Sequence, residues 1–126
     1  MAHILIIDSE DTAAGQLAGA LKKRGFEVDR VADTAATFAF LRVRVPQLFI
    51  LDLMAAVRGR PNEPPEGVRL LAQLYLDHPE VPLVVFSRSR KYRQQFWSWA
   101  AAAHISKRDG TGEVIEVVEK LLDSGS

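Results

Sequence analysis

The sequence predicts an α/β domain built on a doubly wound parallel sheet of five strands. Three features carry that expectation: short apolar bursts alternate with longer helix-like stretches, several bursts have no polar face, and no shift in composition marks a second domain. Strands without a wet face suit a parallel sheet covered on both sides, and strand–helix alternation implies right-handed crossovers. A length of 126 residues suits one domain spanning 1–126, with its core at about 3–123.

The elements follow in order. His3–Asp8 (HILIID) is the first strand, apolar until it ends in an acid. The next stretch places Ala14, Leu17, Ala20 and Leu21 on one helical face, and Gly25 is positioned to end it. Gly15 and Gly19 weaken that helix and are expected to permit close packing on the sheet. Phe26–Val31 (FEVDRV) alternates apolar and polar residues, as an edge strand does. Thr34 is placed to cap a helix carrying Phe38 and Leu41, and Pro46 closes that segment. Gln47–Leu53 (QLFILDL) is again almost wholly apolar and reads as the third strand, and Pro82–Ser87 (PLVVFS) as the fourth. A helix containing Phe96, Trp97 and Trp99 leads to a short fifth strand, Ala103–Ser106. The final helix has an apolar face of Val114, Val117, Val118, Leu121 and Leu122.

Composition narrows the function classes. Lys plus Arg equals Asp plus Glu at 16 each, so no basic field is available for nucleic acid, and the run Arg88, Arg90, Lys91, Arg93 reads as a solvated face. The absence of cysteine excludes disulfides, thiolate metal sites and cysteine nucleophiles. The N-terminus lacks the pattern of a secretion signal, and no apolar segment approaches the roughly 20 residues that span a bilayer, so a cytoplasmic protein without membrane contact is expected. His3 and His78 show no metal-ligand spacing, and Gly110-Thr111-Gly112 reads as a loop and helix start, not a phosphate-cradling loop.

In doubly wound sheets, ligands bind beyond the carboxyl ends of the strands, where the winding reverses. Asp8 ends the first strand and is followed by Ser9, Glu10 and Asp11; Asp52 ends the third, Ser87 the fourth, and Lys107 follows the fifth. With the flavodoxin-like strand order 2-1-3-4-5, the first and third strands are neighbours and Asp8 faces Asp52 across a crevice. Two such carboxylates repel unless a hard cation or the ammonium sits between them. Singly, Asp8 and Ser87 would serve as helix caps and Lys107 as a solvated lysine; together the four favour a site.

These pieces, IID-S-E, FILD-LM, VVFS and HISK in that order and spacing, resemble a response-regulator receiver domain over nearly the whole chain. The resemblance implies a regulatory phosphoacceptor domain, not an enzyme in its own right. In it Asp52 takes a phosphoryl group from a sensor histidine kinase or phosphotransfer protein. Asp8, Asp52 and the backbone carbonyl of Met54 would hold Mg²⁺, with Glu10 a further candidate ligand. Lys107 would pair with the phosphoryl group, and Ser87 would hydrogen-bond it and report its arrival. The surface of the fourth helix, fifth strand and fifth helix would contact a downstream protein or a second copy, with His104 at the position of a switching aromatic and Trp97 or Trp99 as an exposed anchor. His104 also reads as a half-buried histidine on an edge strand. No output domain follows the last helix, which fits a stand-alone receiver or a piece of a longer regulator.

Three departures qualify the resemblance. Ser9 stands where the family has a second acid, which weakens the metal site; as a structural residue Ser9 reads as the N-cap of the first helix. Arg108 replaces the proline that usually follows the lysine. The short turn after Asp52 becomes an extended excursion over 54–67, rich in proline and charge. Ser9 and Arg108 support a rival: an atypical receiver acting as a phosphorylation-independent interaction module. A small flavin-binding protein shares the fold class, but strand-end acids match an anionic flavin phosphate poorly.

Overall fold

The computed structural model describes residues 1–53, 66–88 and 100–123. Its elements are β1 (His3–Ile7), α1 (Asp11–Lys23), β2 (Glu27–Val31), α2 (Thr34–Leu41), β3 (Leu48–Leu51), α3 (Glu66–Asp77), β4 (Leu83–Ser87), β5 (Ala103–Ser106), a 3-10 turn (Lys107–Asp109) and α4 (Thr111–Asp123). The five strands form one sheet in the order β2-β1-β3-β4-β5, with every neighbouring pair parallel, as the sequence predicts. Of the excursion expected over 54–67, residues 54–65 lie outside the described residues and Glu66 and Gly67 instead open α3. The helix with Phe96, Trp97 and Trp99 also lies outside them, so α4 here is the helix the sequence counts as fifth.

Both faces of the sheet are covered, and strand periodicity divides the apolar residues between them. Ile4, Ile6, Leu48, Ile50, Val84, Phe86 and Ile105 pack against Ala14, Leu17 and Leu21 of α1 and Val114, Ile115 and Val118 of α4. Leu5, Ile7, Phe49, Leu51, Leu83 and Val85 face the other way, onto Val68, Leu71 and Leu74 of α3. β1 and β3 are therefore buried at every position, and each fully buried aliphatic side chain contributes roughly 1.5–3 kcal/mol. The edge strand β2 buries only Val28.

Several local expectations are corrected. Gly15 and Gly19 are exposed, with nothing within 4 Å of a Cβ built on either, because the phase that turns Ala14, Leu17 and Leu21 inward turns both glycines outward. They give no close packing, and each weakens the helix interior by roughly 0.5–1 kcal/mol relative to alanine. Asp33, not Thr34, caps α2: its carboxylate accepts the Ala36 N–H at 2.8 Å, and Thr34 is already helical. Ser9 does not cap α1. It is exposed, Glu10 occupies the N-cap position, and the Glu10 N–H is satisfied by Asp8 Oδ1 at 2.9 Å. Gly25 does end α1, at φ 92°, with Phe26 N–H donating to Leu21 O and Gly25 N–H to Lys22 O.

Strand register positions the site. Ile7 pairs with Leu51 at the ends of β1 and β3, so Asp8 and Asp52 emerge side by side. Their backbones carry the ladder one step further, with Asp8 N–H donating to Val31 O at 3.0 Å and Asp52 N–H to Ile7 O at 2.9 Å. Ser87 pairs with Ser106, which delivers Lys107 to the same edge. Gly67, early in α3, lies against the Leu53 backbone, where any Cβ would collide with the carbonyl.

Candidate functional site: three carboxylates on one ammonium

Asp8, Asp52 and Lys107 meet beyond the carboxyl ends of β1, β3 and β5. Lys107 Nζ lies 2.8 Å from Asp8 Oδ2, 2.9 Å from Asp52 Oδ2 and 3.3 Å from Glu10 Oε2. An ammonium has three protons to donate, and here three carboxylates receive them. The Lys107, Asp8 and Asp52 side chains are only 6%, 5% and 4% exposed, so the two aspartates have little water to fall back on.

Burial sets the electrostatics. It pushes the Asp8 carboxyl above its ordinary value, against the opposing pull of the Lys107 and Glu10 hydrogen bonds, and the Asp52 charge adds to the rise. Burial also disfavours the charged form of Lys107, but its bonds to Asp8 and Asp52 prevail and hold the ammonium above its ordinary value. At Glu10 slight desolvation acts upward, and the contacts with Arg88 and Lys107 outweigh it, leaving the carboxyl below its ordinary value.

Two supports have no sequence signal of their own. Arg30, on β2, donates from Nε and Nη2 to the Asp8 carbonyl at 2.9 and 2.8 Å, and from Nη1 to Asp11 at 2.7 Å, clamping the turn between β1 and α1. A backbone acceptor leaves no trace in a sequence, although a cation near the end of the strand paired with β1 is a cue. Arg88, the residue after Ser87, grips Glu10 with Nε at 3.1 Å from Oε1 and Nη2 at 3.3 Å from Oε2.

Ser87 is buried at the end of β4, the strand beside β3. His104 is half-buried on the edge strand β5, opposite Val85. Met54, Trp97 and Trp99 lie outside the described residues. Among the described residues no group of three or more His, Asp and Glu side chains is arranged as a metal cage. What remains is a pair of buried carboxylates, the donor set that Mg²⁺ takes together with waters and phosphate oxygens.

No family model matches the sequence. The nitrogen assimilation regulatory protein NtrX of Azorhizobium caulinodans is 35% identical over 88 residues, which are 69% of this chain and 18% of that protein. The chain thus spans less than a fifth of the curated relative it matches. The solved receiver domain of NtrX from Brucella abortus superposes with a TM-score of 0.80 at 27% identity, covering 95% of this chain and 98% of that one. TrrA of Thermotoga maritima, solved with Mg²⁺-BeF, gives 0.81 at 23% identity over 96% and 99%; at that identity the likeness is one of fold.

Strand order, covered faces and charged strand ends define a doubly wound α/β domain with its candidate site at the switch point. The chain is a response-regulator receiver domain, with Ser9 where the family's second acid stands.

Proposed function

We propose that this domain is a signalling switch that accepts a phosphoryl group on Asp52 from a histidine kinase or phosphotransfer protein. The carrying observation is a buried carboxylate at the switch point, held 2.9 Å from a buried ammonium. An Asp52 oxygen attacks phosphorus as the phosphohistidine N–P bond breaks, leaving an aspartyl phosphate. Little covalent chemistry is asked of the protein; position and charge neutralisation do most of the work. Lys107 moves from the carboxylates to the phosphoryl oxygens, and Ser87 donates a hydrogen bond to one of them. Asp8 and Asp52, with the Met54 carbonyl that the family resemblance implies, would hold Mg²⁺, which supplies further positive charge when bound. TrrA, solved with Mg²⁺-BeF and in complex with the histidine kinase ThkA, supports the same chemistry here by analogy of fold.

The modification changes an interaction surface on the β5–α4 side, where His104 lies, for a downstream protein or a second copy. Among the described residues no helix is long and apolar enough to cross a membrane, and the proposed place of action is the cytoplasm. Two departures favour a second reading, a phosphorylation-independent interaction module: Ser9 stands exposed where the family's second acid belongs, and Arg108 replaces the usual proline.

Intact mass after incubation with a small phosphodonor and Mg²⁺, beside Asp52→Asn, tests the first reading. One added phosphoryl group in the parent alone is expected. Equal gain in both proteins rules out Asp52 as acceptor, and gain in neither, with a cognate kinase also tried, moves the assignment to the module.

A further inference from the structure

Lys107 is not the only cation at this edge. Arg88 follows Ser87 directly, and its guanidinium is tied to Glu10, whose Oε2 also touches Lys107 at 3.3 Å. Arg88 and Lys107 line one open cleft of about 440 Å³, together with Arg108, Gln16 and Thr111, and among the described residues lining it there is no acid. The Glu10–Arg88 pair is exposed, with side chains 39% and 70% accessible. Exposed pairs of this kind contribute little to stability, so a better anion displaces the carboxylate at small cost.

We infer that Arg88 is a second phosphoryl-binding cation of the acceptor site, parked on Glu10 until a phosphoryl group arrives and then transferred to its oxygens. The inference rests on the phosphoacceptor reading and extends it. Without Arg88, three carboxylates share one ammonium, and an incoming phosphoryl dianion meets net negative charge. With Arg88 the deficit falls from two charges to one, and a planar guanidinium presents paired donors suited to phosphate oxygens. Arg88 also acts against a metal: its charge lies on Glu10, a carboxylate that a divalent cation would compete for. It therefore favours the anion over the cation at the same edge.

Beryllofluoride, a phosphoryl mimic, is the probe. Fluorine NMR reads its bound fraction at saturating Mg²⁺ for the parent, Arg88→Ala and Arg88→Lys, and calorimetry reads Mg²⁺ binding alone. Arg88 is exposed, so its variants are expected to fold, with circular dichroism as the check. Arg88→Ala is expected to bind beryllofluoride on the order of tenfold more weakly, the usual loss of one charged hydrogen-bonding partner. Its Mg²⁺ affinity in the absence of the anion should be unchanged or tighter. Arg88→Lys should fall between. Beryllofluoride binding by Arg88→Ala equal to the parent reduces Arg88 to a surface ion pair, and tighter binding makes it a barrier; either overturns the inference alone. No binding by the parent overturns the acceptor reading and this inference with it.

Discussion

The two ends of the sheet handle charge differently. At the amino ends, acids and bases meet in pairs: His3 Nε2 meets Asp29 at 2.8 Å, and Arg44 makes two bonds of 2.7 Å to Glu27. The His3 ring also stacks on Phe40 at 5.7 Å, and Gln47 Oε1 accepts the His3 N–H. At the carboxyl ends, three carboxylates converge on one buried ammonium, and one of the acids is driven above its ordinary pKa. One end is balanced; the other holds like charges together. Such crowding works against stability and suits a site poised to receive another cation or to give up a proton.

Removing the shared cation should break the comparison most sharply. Lys107→Met leaves Asp8 and Asp52 buried without their ammonium, and the loss should be roughly 3 kcal/mol at neutral pH, typical of stranding a buried charge. Urea unfolding measures it, and adding Asp8→Asn to the same chain should restore part of the loss. If Lys107→Met unfolds at the parent's midpoint, the carboxylates are solvated and the crowding is not real. A second break lies beside Asp52: Gly67→Ala must push α3 off the Leu53 carbonyl, with an expected loss of about 1–3 kcal/mol typical of overpacking.

Asp8→Asn should act in the opposite direction. Burial raises the Asp8 pKa, so the folded state holds that proton more tightly than the unfolded chain does. Its contribution to stability falls as pH rises from the unfolded value, 3.8, through the higher folded one, and the full penalty is present at neutral pH. The amide removes the charge while keeping the shape. Thermal unfolding at pH 7 should therefore show a higher Tm than the parent, with the difference shrinking in acid. A lower Tm would mean that the bond to Lys107 outweighs the burial of Asp8.

The same contrast explains what the sequence shows and what it hides. In a strand buried on both faces, the acid that closes the apolar run marks where the chain leaves the sheet. HILIID and QLFILD expose Asp8 and Asp52 that way, whereas Ser87 and Ser106 are still paired within β4 and β5. Strand ends are less legible. Asp52 and Leu53 are buried like the strand before them, yet β3 ends at Leu51, so burial alone extends the expected strand too far. Asp33 and Thr34 are both capable caps, and only the backbone decides between them. The Arg88–Glu10 pair joins residues 78 apart on exposed surfaces, where no periodicity records it. The outward phase of Gly15 and Gly19, by contrast, follows from Ala14, Leu17 and Leu21 and needs no coordinates.

The amino end supplies the smallest prediction and the opposite slope. The Arg44 hydrogen bonds hold the Glu27 carboxyl below its ordinary value, with weak desolvation opposing them. A depressed carboxyl contributes stability above its unfolded value, 4.5, and loses it as pH falls through the folded value. Acid should thus erode this pair, whereas it relieves Asp8. Both Glu27 and Arg44 are open to solvent, so the pair is screened by salt and its share is slight. Glu27→Gln should lower the urea midpoint marginally at pH 7, less at high salt, and not at all once the parent's Glu27 is protonated. If the effect instead persists unchanged in acid and salt, Glu27 acts through packing beside Ala2, whose carbonyl its N–H meets at 2.9 Å, and the amino end is held by contacts other than charge.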